Sequence, residues 1–373
     1  MTNVKSDKIK IFIIAGEVSG DVLGAKIMRK MPGVNFVGIG GENMCAAGLQ
    51  SLFPMADLSV LGIFEVLAHA KTLTNRIKQT VQAILHEKPD VVLTIDSPGF
   101  AKSVVKKVRQ QNKSIKFYHV VAPQVWAWGK WRAKKYAKIF DKLYAFFDFE
   151  VPYFTKYGLD TMAVGHPIAD GLEKYKTATK TDEKIISLVP GSRMNEVKKL
   201  LPVFRKTVDL LYSCGYQNYK FVIPTVETTN AYIKKEVKNW KIKPEIISAD
   251  QRYDLYANTY IAVVASGTVS AELAIMHIPT IVVYKMNPLT VVLGHILLKI
   301  KWVSLVNILM NKSIYPELLG RNATPYNIMC CLQQFTLPAK RKQMIAELKD
   351  ADSKWLHSNE SPASVIATDI LKK

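Results

Sequence analysis

The stretch IFIIAGEVSGD, residues 11–21, contains the junction that decides the fold of this sequence. An apolar run typical of a buried strand ends at Ala15-Gly16, and the residues near 19–31 have the apolar spacing of a helix. Gly16 and Gly20 permit a tight turn and a close approach of the backbone to its neighbours. The pattern therefore indicates a strand–turn–helix unit, from which parallel α/β sheets are built.

The same alternation of strands and helices continues along most of the chain. Strands are predicted at 11–16, 91–96, 115–122 and 142–147, and then at 185–190, 220–224, 245–248, 260–266 and 280–284. A polar, charged stretch at 171–184 has no core pattern and is predicted to be a linker. We therefore expect an α/β protein with two Rossmann-like domains facing each other across a cleft. The expected divisions are 1–170, 171–345 and a helical segment, 346–373, that packs back on the first domain.

Composition favours anionic partners. The chain has 373 residues, 49% of them hydrophobic, with a formal net charge of +20 and a pI near 9.6. Such a charge suits nucleic acid, a phosphate-rich substrate or an anionic membrane surface, although a generally basic proteome would produce it as well.

The cysteines and the apolar segments favour a reduced, cytosolic protein without a membrane span. The four cysteines have no metal-ligand spacing, and the polar N-terminus lacks an apolar signal region. The longest stretch with few charges, 255–284, is better explained as a buried strand–turn–helix–strand unit than as a transmembrane helix.

Two acidic positions are expected at strand ends of the first domain, where ligands bind in open parallel sheets. Asp96 ends the strand before Pro98-Gly99 and is either a general base or a turn residue. Glu17 follows the first strand, and helix capping does not require it. Ser19, Gly20 and Asp21 complete this turn, as a cap or as part of a ligand site.

Two further turns belong to the second domain. In PGSRMNEV, 190–197, a strand runs into Gly191, Ser192 and Arg193 and then a helix, which suits a diphosphate or a simple turn. In ASGTVSAELA, 265–274, backbone N–H groups of Ser266, Gly267 and Thr268 could approach a phosphate. Glu272 lies inside the apolar helix, where it is either ion-paired or bound to a ligand hydroxyl pair such as a ribose.

A basic, aromatic stretch is the candidate for a membrane surface or for lipid phosphates. Apolar residues of the segment fall on the opposite helical face, so a solvated basic face over a core is the alternative. Its candidate contacts are Trp126, Trp128, Trp131, Lys134, Lys135 and Lys138. The apolar segment 286–305 either packs on the core or lines an acyl-chain groove. His119 and His166 are interpreted as core or turn histidines rather than ligands.

These motifs, taken in order, resemble the lipid-A-disaccharide synthase family over nearly the whole chain. The resemblance is carried by short motifs whose order and spacing are specific: AGEVSGDVLGA (15–25), IDSPGF (95–100), VAPQVWAW (121–128), VGHPIAD (164–170), LVPGSRMNEV (188–197), ASGTVSAELA (265–274), WVSLVNIL (302–309), PELL (316–319) and ATP (323–325). The sequence departs from the usual family pattern at Gly99, Ala101 and Gly320.

The resemblance implies an inverting glycosyltransferase of the GT-B type that makes the lipid A anchor of Gram-negative lipopolysaccharide. The implied donor is UDP-2,3-diacylglucosamine and the acceptor 2,3-diacylglucosamine 1-phosphate; the products are the β-1,6-linked disaccharide 1-phosphate and UDP. Asp96 is the expected base, with Glu17 as a second catalytic candidate. Ser19, Gly20 and Asp21 are expected to form the wall of the cleft that faces the acceptor or the reacting sugars. The PGSR and SGT turns, Glu272 and Asn307 are the expected donor contacts, with no metal and no cofactor.

The resemblance also implies a peripheral protein on the cytoplasmic face of the inner membrane, and a homodimer is one assembly state that the sequence allows. Rival interpretations are another UDP-sugar enzyme of this fold, such as a UDP-GlcNAc transferase or epimerase, and a basic nucleic-acid-binding protein. The sequence contains no RRM, KH or helix-turn-helix signature, so no nucleic-acid partner is expected.

Overall fold

The chain forms two compact α/β units. The computed structural model describes residues 9–58, 63–176, 183–285, 301–356 and 360–372. The first unit comprises the chain up to Pro167 together with the segment from Leu356 onward, and the second comprises Ile168–Trp355. Most of the apolar segment expected at 286–305 lies outside the described residues, since the description resumes at Lys301.

The first unit is built on a six-stranded, fully parallel sheet. Its strands are β1 (Lys10–Ala15), β2 (Asn35–Ile39), β3 (Val91–Ile95), β4 (Lys116–Val120), β5 (Lys142–Ala145) and β6 (Asp160–Ala163), in the order β2-β1-β3-β4-β5-β6. The helices that follow them are α1 (Val18–Arg29), α2 (Glu42–Ala46), α3 (Ile63–Glu87), α4 (Pro98–Gln111), α5 (Trp131–Ala137) and α6 (Pro152–Thr155). Buried apolar residues form a core on each face of the sheet.

The second unit has a six-stranded parallel sheet with the Rossmann strand order. Its strands are β7 (Lys184–Val189), β8 (Tyr219–Thr225), β9 (Glu245–Ser248), β10 (Thr259–Ala265), β11 (Thr280–Tyr284) and β12 (Glu317–Leu319), in the order β9-β8-β7-β10-β11-β12. Its helices are α7 (Glu173–Lys176), α8 (Met194–Ser213), α9 (Glu227–Val237), α10 (Arg252–Asn258), α11 (Thr268–Ile275), α12 (Leu305–Met310), α13 (Pro325–Thr336), α14 (Pro338–Asp350) and α15 (Asp352–Trp355).

The last described helix, α16 (Pro362–Leu371), belongs to the first unit. Its apolar face, which includes Ile366 and Ile370, is buried in the core beside α1. Asp369 contacts the buried Lys142 ammonium at 2.7 Å and accepts a 2.7 Å hydrogen bond from the Tyr144 hydroxyl. The second unit runs to Trp355, beyond the expected division at 345, because α14 and α15 pack within it.

Two parallel α/β domains are thus confirmed, and their strand orders locate two candidate sites. In each sheet the strand order reverses at one place, between β1 and β3 in the first unit and between β7 and β10 in the second. Ligands of open α/β sheets bind beyond the carboxyl ends of the strands at such reversals. Among the described residues, no helix is both long and apolar enough to cross a membrane.

Candidate active site

The turn after β1 packs directly against the turn after β3. Ala15 is paired with Ile95, so the next residues of both strands emerge side by side at the switch point. A Cβ atom on Gly16 would overlap the Ser97 side chain, and one on Gly20 would come within 3.3 Å of the Ile95 carbonyl oxygen. Both glycines are therefore needed for the close approach of the first turn and α1 to β3.

Backbone strain is concentrated at the same edge of the sheet. Asp96, Ser97 and Val121 are non-glycine residues with left-handed φ values of 54°, 46° and 80°. Such conformations cost on the order of 1–3 kcal/mol each and persist only where surrounding contacts enforce them. Here the Asp96 N–H donates to the Val120 carbonyl oxygen at 3.1 Å, and the Ser97 N–H donates to Asp96 Oδ1 at 2.9 Å. The Asp96 carboxylate is thus held at the end of β3.

The two carboxylates at this edge are electrostatically perturbed. Burial raises the pKa of the half-buried Asp96, and the hydrogen bond from Ser97 opposes only part of that rise. The pKa of Glu17 is also raised, first by the partial burial of its carboxyl and then by the negative charge of Asp96. A carboxylate with a raised pKa in a ligand-binding edge suits proton abstraction from a hydroxyl.

Asp21 has a structural role that the sequence analysis did not assign to it. Its side chain is buried, and its two oxygens accept four hydrogen bonds of 2.7–3.0 Å from the start of α2. The donors are the N–H groups of Gly41, Asn43 and Met44 and the amide of Asn43. These bonds lower its pKa despite its burial. The carboxylate therefore holds α2 and does not line the site, whereas Ser19 is exposed beside Glu17.

A buried polar and aromatic cluster lies behind Asp96 on one face of the sheet. A 2.7 Å hydrogen bond joins His119 Nδ1 to Thr94 Oγ1. The His119 ring stacks on Phe140 and contacts Tyr136. Burial lowers the pKa of His119 to about 3, so this ring is neutral at physiological pH. His166 is half-buried, and desolvation lowers its pKa to about 4. His119 thus lies in the core, and His166 lies in the turn after β6.

The second unit contains a cavity of about 280 Å³ at its strand-order reversal. The predicted PGSR and SGT turns line it together, with Gly191, Ser192 and Arg193 from one and Ser266, Gly267 and Thr268 from the other. Glu272 lines it as well. The sequence analysis missed the lining residues at the end of β8 and around α10: Pro224, Thr225, Val226, Ala249, Arg252 and Tyr256.

The PGSR turn is shaped by its glycine. Gly191 has a φ of 101°, and a Cβ there would come within 2.6 Å of Glu196 Oε2. Arg193 precedes the first residue of α8, and its exposed guanidinium is paired with Glu196 at 3.0 Å. An arginine beside the free N–H groups of a 20-residue helix suits an anionic ligand such as a diphosphate.

Glu272 belongs to a hydrogen-bonded chain at the wall of the cavity. The Tyr253 hydroxyl donates to Glu272 Oε1 at 2.9 Å and accepts from Arg252 at 2.8 Å. Burial raises the pKa of Glu272, while the Tyr253 hydrogen bond and the charge of Arg252 oppose that rise. Glu272 is therefore hydrogen-bonded to Tyr253, and it also lines the cavity.

Asn307 does not line the cavity. It is fully buried, and its amide donates to the Tyr315 carbonyl oxygen and to Glu317, at 2.8 and 2.9 Å. Its Oδ1 accepts from the N–H groups of Ile314 and Tyr315. The Asn307 side chain uses all of its hydrogen-bond donors and acceptors to hold the segment after α12. It therefore has no free group for the expected contact with the UDP-sugar.

The basic, aromatic stretch forms an exposed surface on and before α5. Trp128 and Trp131 are 45% and 55% exposed and meet edge to face, with Arg132 over the first ring and Lys135 over the second. Lys134, Lys135 and Lys138 are exposed, whereas Ala133 and Tyr136 are buried. Trp126 is partly buried and donates from its indole nitrogen to the buried Glu150 at 3.1 Å.

Within the described ranges, no group of three or more His, Cys, Asp or Glu side chains is placed to hold a metal ion. The residues fit a site that binds an anion through backbone N–H groups and a guanidinium. Arg193 and the N–H groups at the start of α8 supply the positive charge. Preorganised donors of this kind stabilise negative charge on a ligand.

Comparisons with known proteins agree with this arrangement. The family model described as lipid-A-disaccharide synthetase matches residues 11–367. The lipid-A-disaccharide synthase of Rhodospirillum centenum is 37% identical over 370 residues, covering 95% of this chain and 92% of the relative. The lipid-A-disaccharide synthase of Rickettsia canadensis is 38% identical over 379 residues, covering 98% and 97%.

Solved structures share the fold at low identity. The UDP-GlcNAc 2-epimerase from Neisseria meningitidis bound to UDP-GlcNAc has a TM-score of 0.62 and 13% identity, covering 98% of this chain and 99% of that one. MurG from Acinetobacter baumannii has a TM-score of 0.60 and 12% identity, covering 98% and 100%. These values establish a common GT-B architecture and no more than that.

Proposed function

Because the chain belongs to the lipid-A-disaccharide synthase family, we propose that its two units divide the work of one glycosyl transfer. The protein is a glycosyltransferase that forms the lipid A disaccharide from a UDP-sugar. The donor is UDP-2,3-diacylglucosamine, and the acceptor is 2,3-diacylglucosamine 1-phosphate. The reaction joins them through a β-1,6 linkage and releases UDP.

The second unit binds the UDP part of the donor. The supporting observation is the cavity at the β7/β10 reversal, where two glycine-containing turns and Arg193 converge. The diphosphate lies at the start of α8, within reach of Arg193 and the SGT turn. Glu272 accepts hydrogen bonds from the ribose hydroxyls, since its carboxylate faces the same cavity.

The first unit binds the acceptor and supplies the base. Asp96 removes the proton of the attacking sugar hydroxyl as that oxygen displaces UDP from the anomeric carbon in line. This proposal is supported by the position of Asp96 at the β1/β3 reversal, its strained backbone and its raised pKa. Glu17, beside it, keeps the local charge negative and faces the reacting sugars.

The test is a reconstitution with both substrates. Purified protein is mixed with UDP-2,3-diacylglucosamine and 2,3-diacylglucosamine 1-phosphate, with and without EDTA, and UDP release and product mass are followed. The expected product is the disaccharide 1-phosphate in both samples. Asp96→Asn should lower turnover by roughly 10² to 10⁴-fold, the usual contribution of a general base. Turnover within a few-fold of the parent enzyme would contradict the base assignment.

A matched control variant makes the same change, from a carboxylate to an amide, at a position away from the site. Asp254→Asn alters an exposed carboxylate of α10 that does not line the cavity. Its turnover should equal that of the parent protein. UDP release without disaccharide in the parent would indicate hydrolysis and would contradict the transferase proposal.

The exposed face of Trp128, Trp131, Lys134, Lys135 and Lys138 contacts the cytoplasmic surface of the inner membrane, where the acylated substrates reside. Exposed tryptophans beside lysines are typical of interfacial binding. Removing the three lysine charges should weaken sedimentation with anionic vesicles more at low salt than at high salt. Equal binding at both salt concentrations would contradict the electrostatic part.

For the assembly state, a homodimer is proposed. Light scattering of the purified protein without vesicles measures its mass.

A further inference from the structure

Tyr136 carries a buried hydroxyl that the proposed reaction has not used. The side chain is 2% exposed, and its hydroxyl has no hydrogen-bond partner within the described chain. Burying such a group without a partner is destabilising, so native proteins rarely retain one without a reason. Phenylalanine would fill the same space without this cost.

The surroundings of the Tyr136 ring fix where its hydroxyl lies. The ring packs between Phe140 and Phe154 and contacts His119, whose Nδ1 is bonded to Thr94. Thr94 and His119 are register partners on β3 and β4, and Asp96 follows Thr94 by two residues, directly after the end of β3. Tyr136 is therefore packed over the strand end from which Asp96 emerges.

Among the described residues, one oxygen of the Asp96 carboxylate has no hydrogen-bond donor. Its Oδ1 accepts from the Ser97 N–H at 2.9 Å, whereas no hydrogen bond reaches its Oδ2 within the described part of the chain. The negative charge of Asp96 contributes to the raised pKa of Tyr136, although burial contributes more and Arg132 opposes it. A protonated phenol without an acceptor thus lies near a carboxylate oxygen without a donor.

We propose that Tyr136 is a positioning residue for Asp96, donating its hydroxyl hydrogen to the free oxygen of that carboxylate, directly or through one water molecule, during the reaction. The proposal rests on Asp96 being the base. With Ser97 on one oxygen and Tyr136 on the other, the carboxylate plane is fixed. A lone pair of each oxygen remains for the acceptor hydroxyl, which loses its proton to Asp96 as the new bond to the anomeric carbon forms.

The titratable groups around Asp96 and Tyr136 determine how activity depends on pH. Among the described residues, the titratable groups that face Asp96 or Tyr136 are Glu17, His119 and Arg132. His119 is neutral at physiological pH, so the acidic limb of activity belongs to Asp96 and Glu17. A hydrogen bond to a carboxylate favours its charged form, so loss of that bond raises the carboxyl pKa.

The test compares Tyr136→Phe with the parent enzyme. We expect kcat to fall about tenfold, the rate equivalent of one hydrogen bond to a charged group, with KM for the donor unchanged. We also expect the acidic limb of kcat, which reports the pKa of the base in the enzyme–substrate complex, to move to higher pH. The melting temperature should stay the same or rise, because the variant no longer buries an unpaired hydroxyl.

Tyr315→Phe is the matched control. Tyr315 is as buried as Tyr136, but its hydroxyl donates to the Ile278 carbonyl oxygen at 2.8 Å in the second unit. It should lower the melting temperature and leave the pH profile in place. An unchanged kcat and pH profile in Tyr136→Phe would overturn the proposal, and so would a melting temperature lowered as in Tyr315→Phe.

Asp96→Asn distinguishes a failure of the Tyr136 proposal from a failure of the base assignment. If Asp96→Asn is inactive while Tyr136→Phe behaves as the parent, the base assignment stands and the role of Tyr136 is wrong. If Asp96→Asn retains turnover, the base assignment itself fails.

Discussion

Glu17 and Asp96 follow neighbouring strands of one sheet, and the negative charge of Asp96 helps to raise the pKa of Glu17. The interaction is mutual, because a like charge disfavours the ionised form of either partner. A base in this pair becomes active as the pH rises through its raised pKa. Activity should therefore be lost on acidification before an isolated aspartate would be protonated.

The first prediction concerns the sign of this coupling. Glu17→Gln removes a negative charge beside Asp96, so the pKa of Asp96 should fall and the acidic limb of kcat/KM should move to lower pH. This direction is opposite to that expected for Tyr136→Phe. Glu42→Gln, at an exposed position of α2, should leave the limb where it is. A limb that stays fixed in Glu17→Gln would show that the two carboxylates do not interact.

The second prediction concerns two glycines on opposite sides of the same junction. Gly16→Ala places a Cβ in the Ser97 side chain, which should displace the turn that carries Asp96. Overpacking of this kind costs about 1–3 kcal/mol, and activity should fall along with the free energy of unfolding. Denaturant titration and the UDP-release assay measure the two effects.

Gly99→Ala is the control for that variant. Gly99 lies in the first turn of α4, and nothing is within 4 Å of the position that a Cβ would occupy. Alanine there should leave the stability unchanged or raise it by up to about 1 kcal/mol, since it restricts the unfolded chain. Equal losses of stability in Gly16→Ala and Gly99→Ala would contradict the packing explanation.

The third prediction concerns the donor site. Arg193→Ala removes an exposed guanidinium from the start of α8 and should weaken UDP binding about tenfold or more, as expected for a charge-assisted hydrogen bond. Lys206→Ala removes the same charge from an exposed position further along the helix and should change the affinity little. Calorimetric titration with UDP measures both. Equal affinities in the two variants would mean that Arg193 does not touch the diphosphate.

The fourth prediction concerns the attachment of α16. Asp369→Ala leaves the Lys142 ammonium, which is only 7% exposed, without its closest partner, and Tyr144 loses an acceptor. Removing one member of a largely buried pair costs roughly 3–5 kcal/mol, and the nearby Asp160 at 3.3 Å should reduce that loss. Thr368→Ala, at the exposed neighbouring position, should cost little. Thermal unfolding of the two variants distinguishes them.

The sheet architecture could be predicted because the central strands are continuous apolar runs. The expected strands at 91–96 and 280–284 match the central strands β3 and β11. The strands that the sequence analysis missed, β2, β6 and β12, lie at or beside sheet edges, where exposure and short length weaken the apolar pattern. The long helix α3 was missed as well.

The site could be predicted only where the chain itself marks a strand end. The PGSR and SGT turns were found and do line one cavity, whereas Thr225 and Arg252 follow no glycine turn and were missed. Asp21 and Asn307 resemble ligand residues in sequence, yet their partners are backbone groups brought close by folding. Local sequence contains no sign of such distant donors, so a satisfied buried side chain could not be told from a free one.

The placement of α16 also constrains how the protein is made. During translation every residue of the second unit emerges from the ribosome before α16 does, so the second unit can fold first. Until α16 is synthesised, the apolar groove beside α1 and the Lys142 ammonium remain uncovered, although the six strands of the first sheet are already complete. The first unit is thus the last to mature, and until α16 docks the apolar residues that it covers are exposed to solvent.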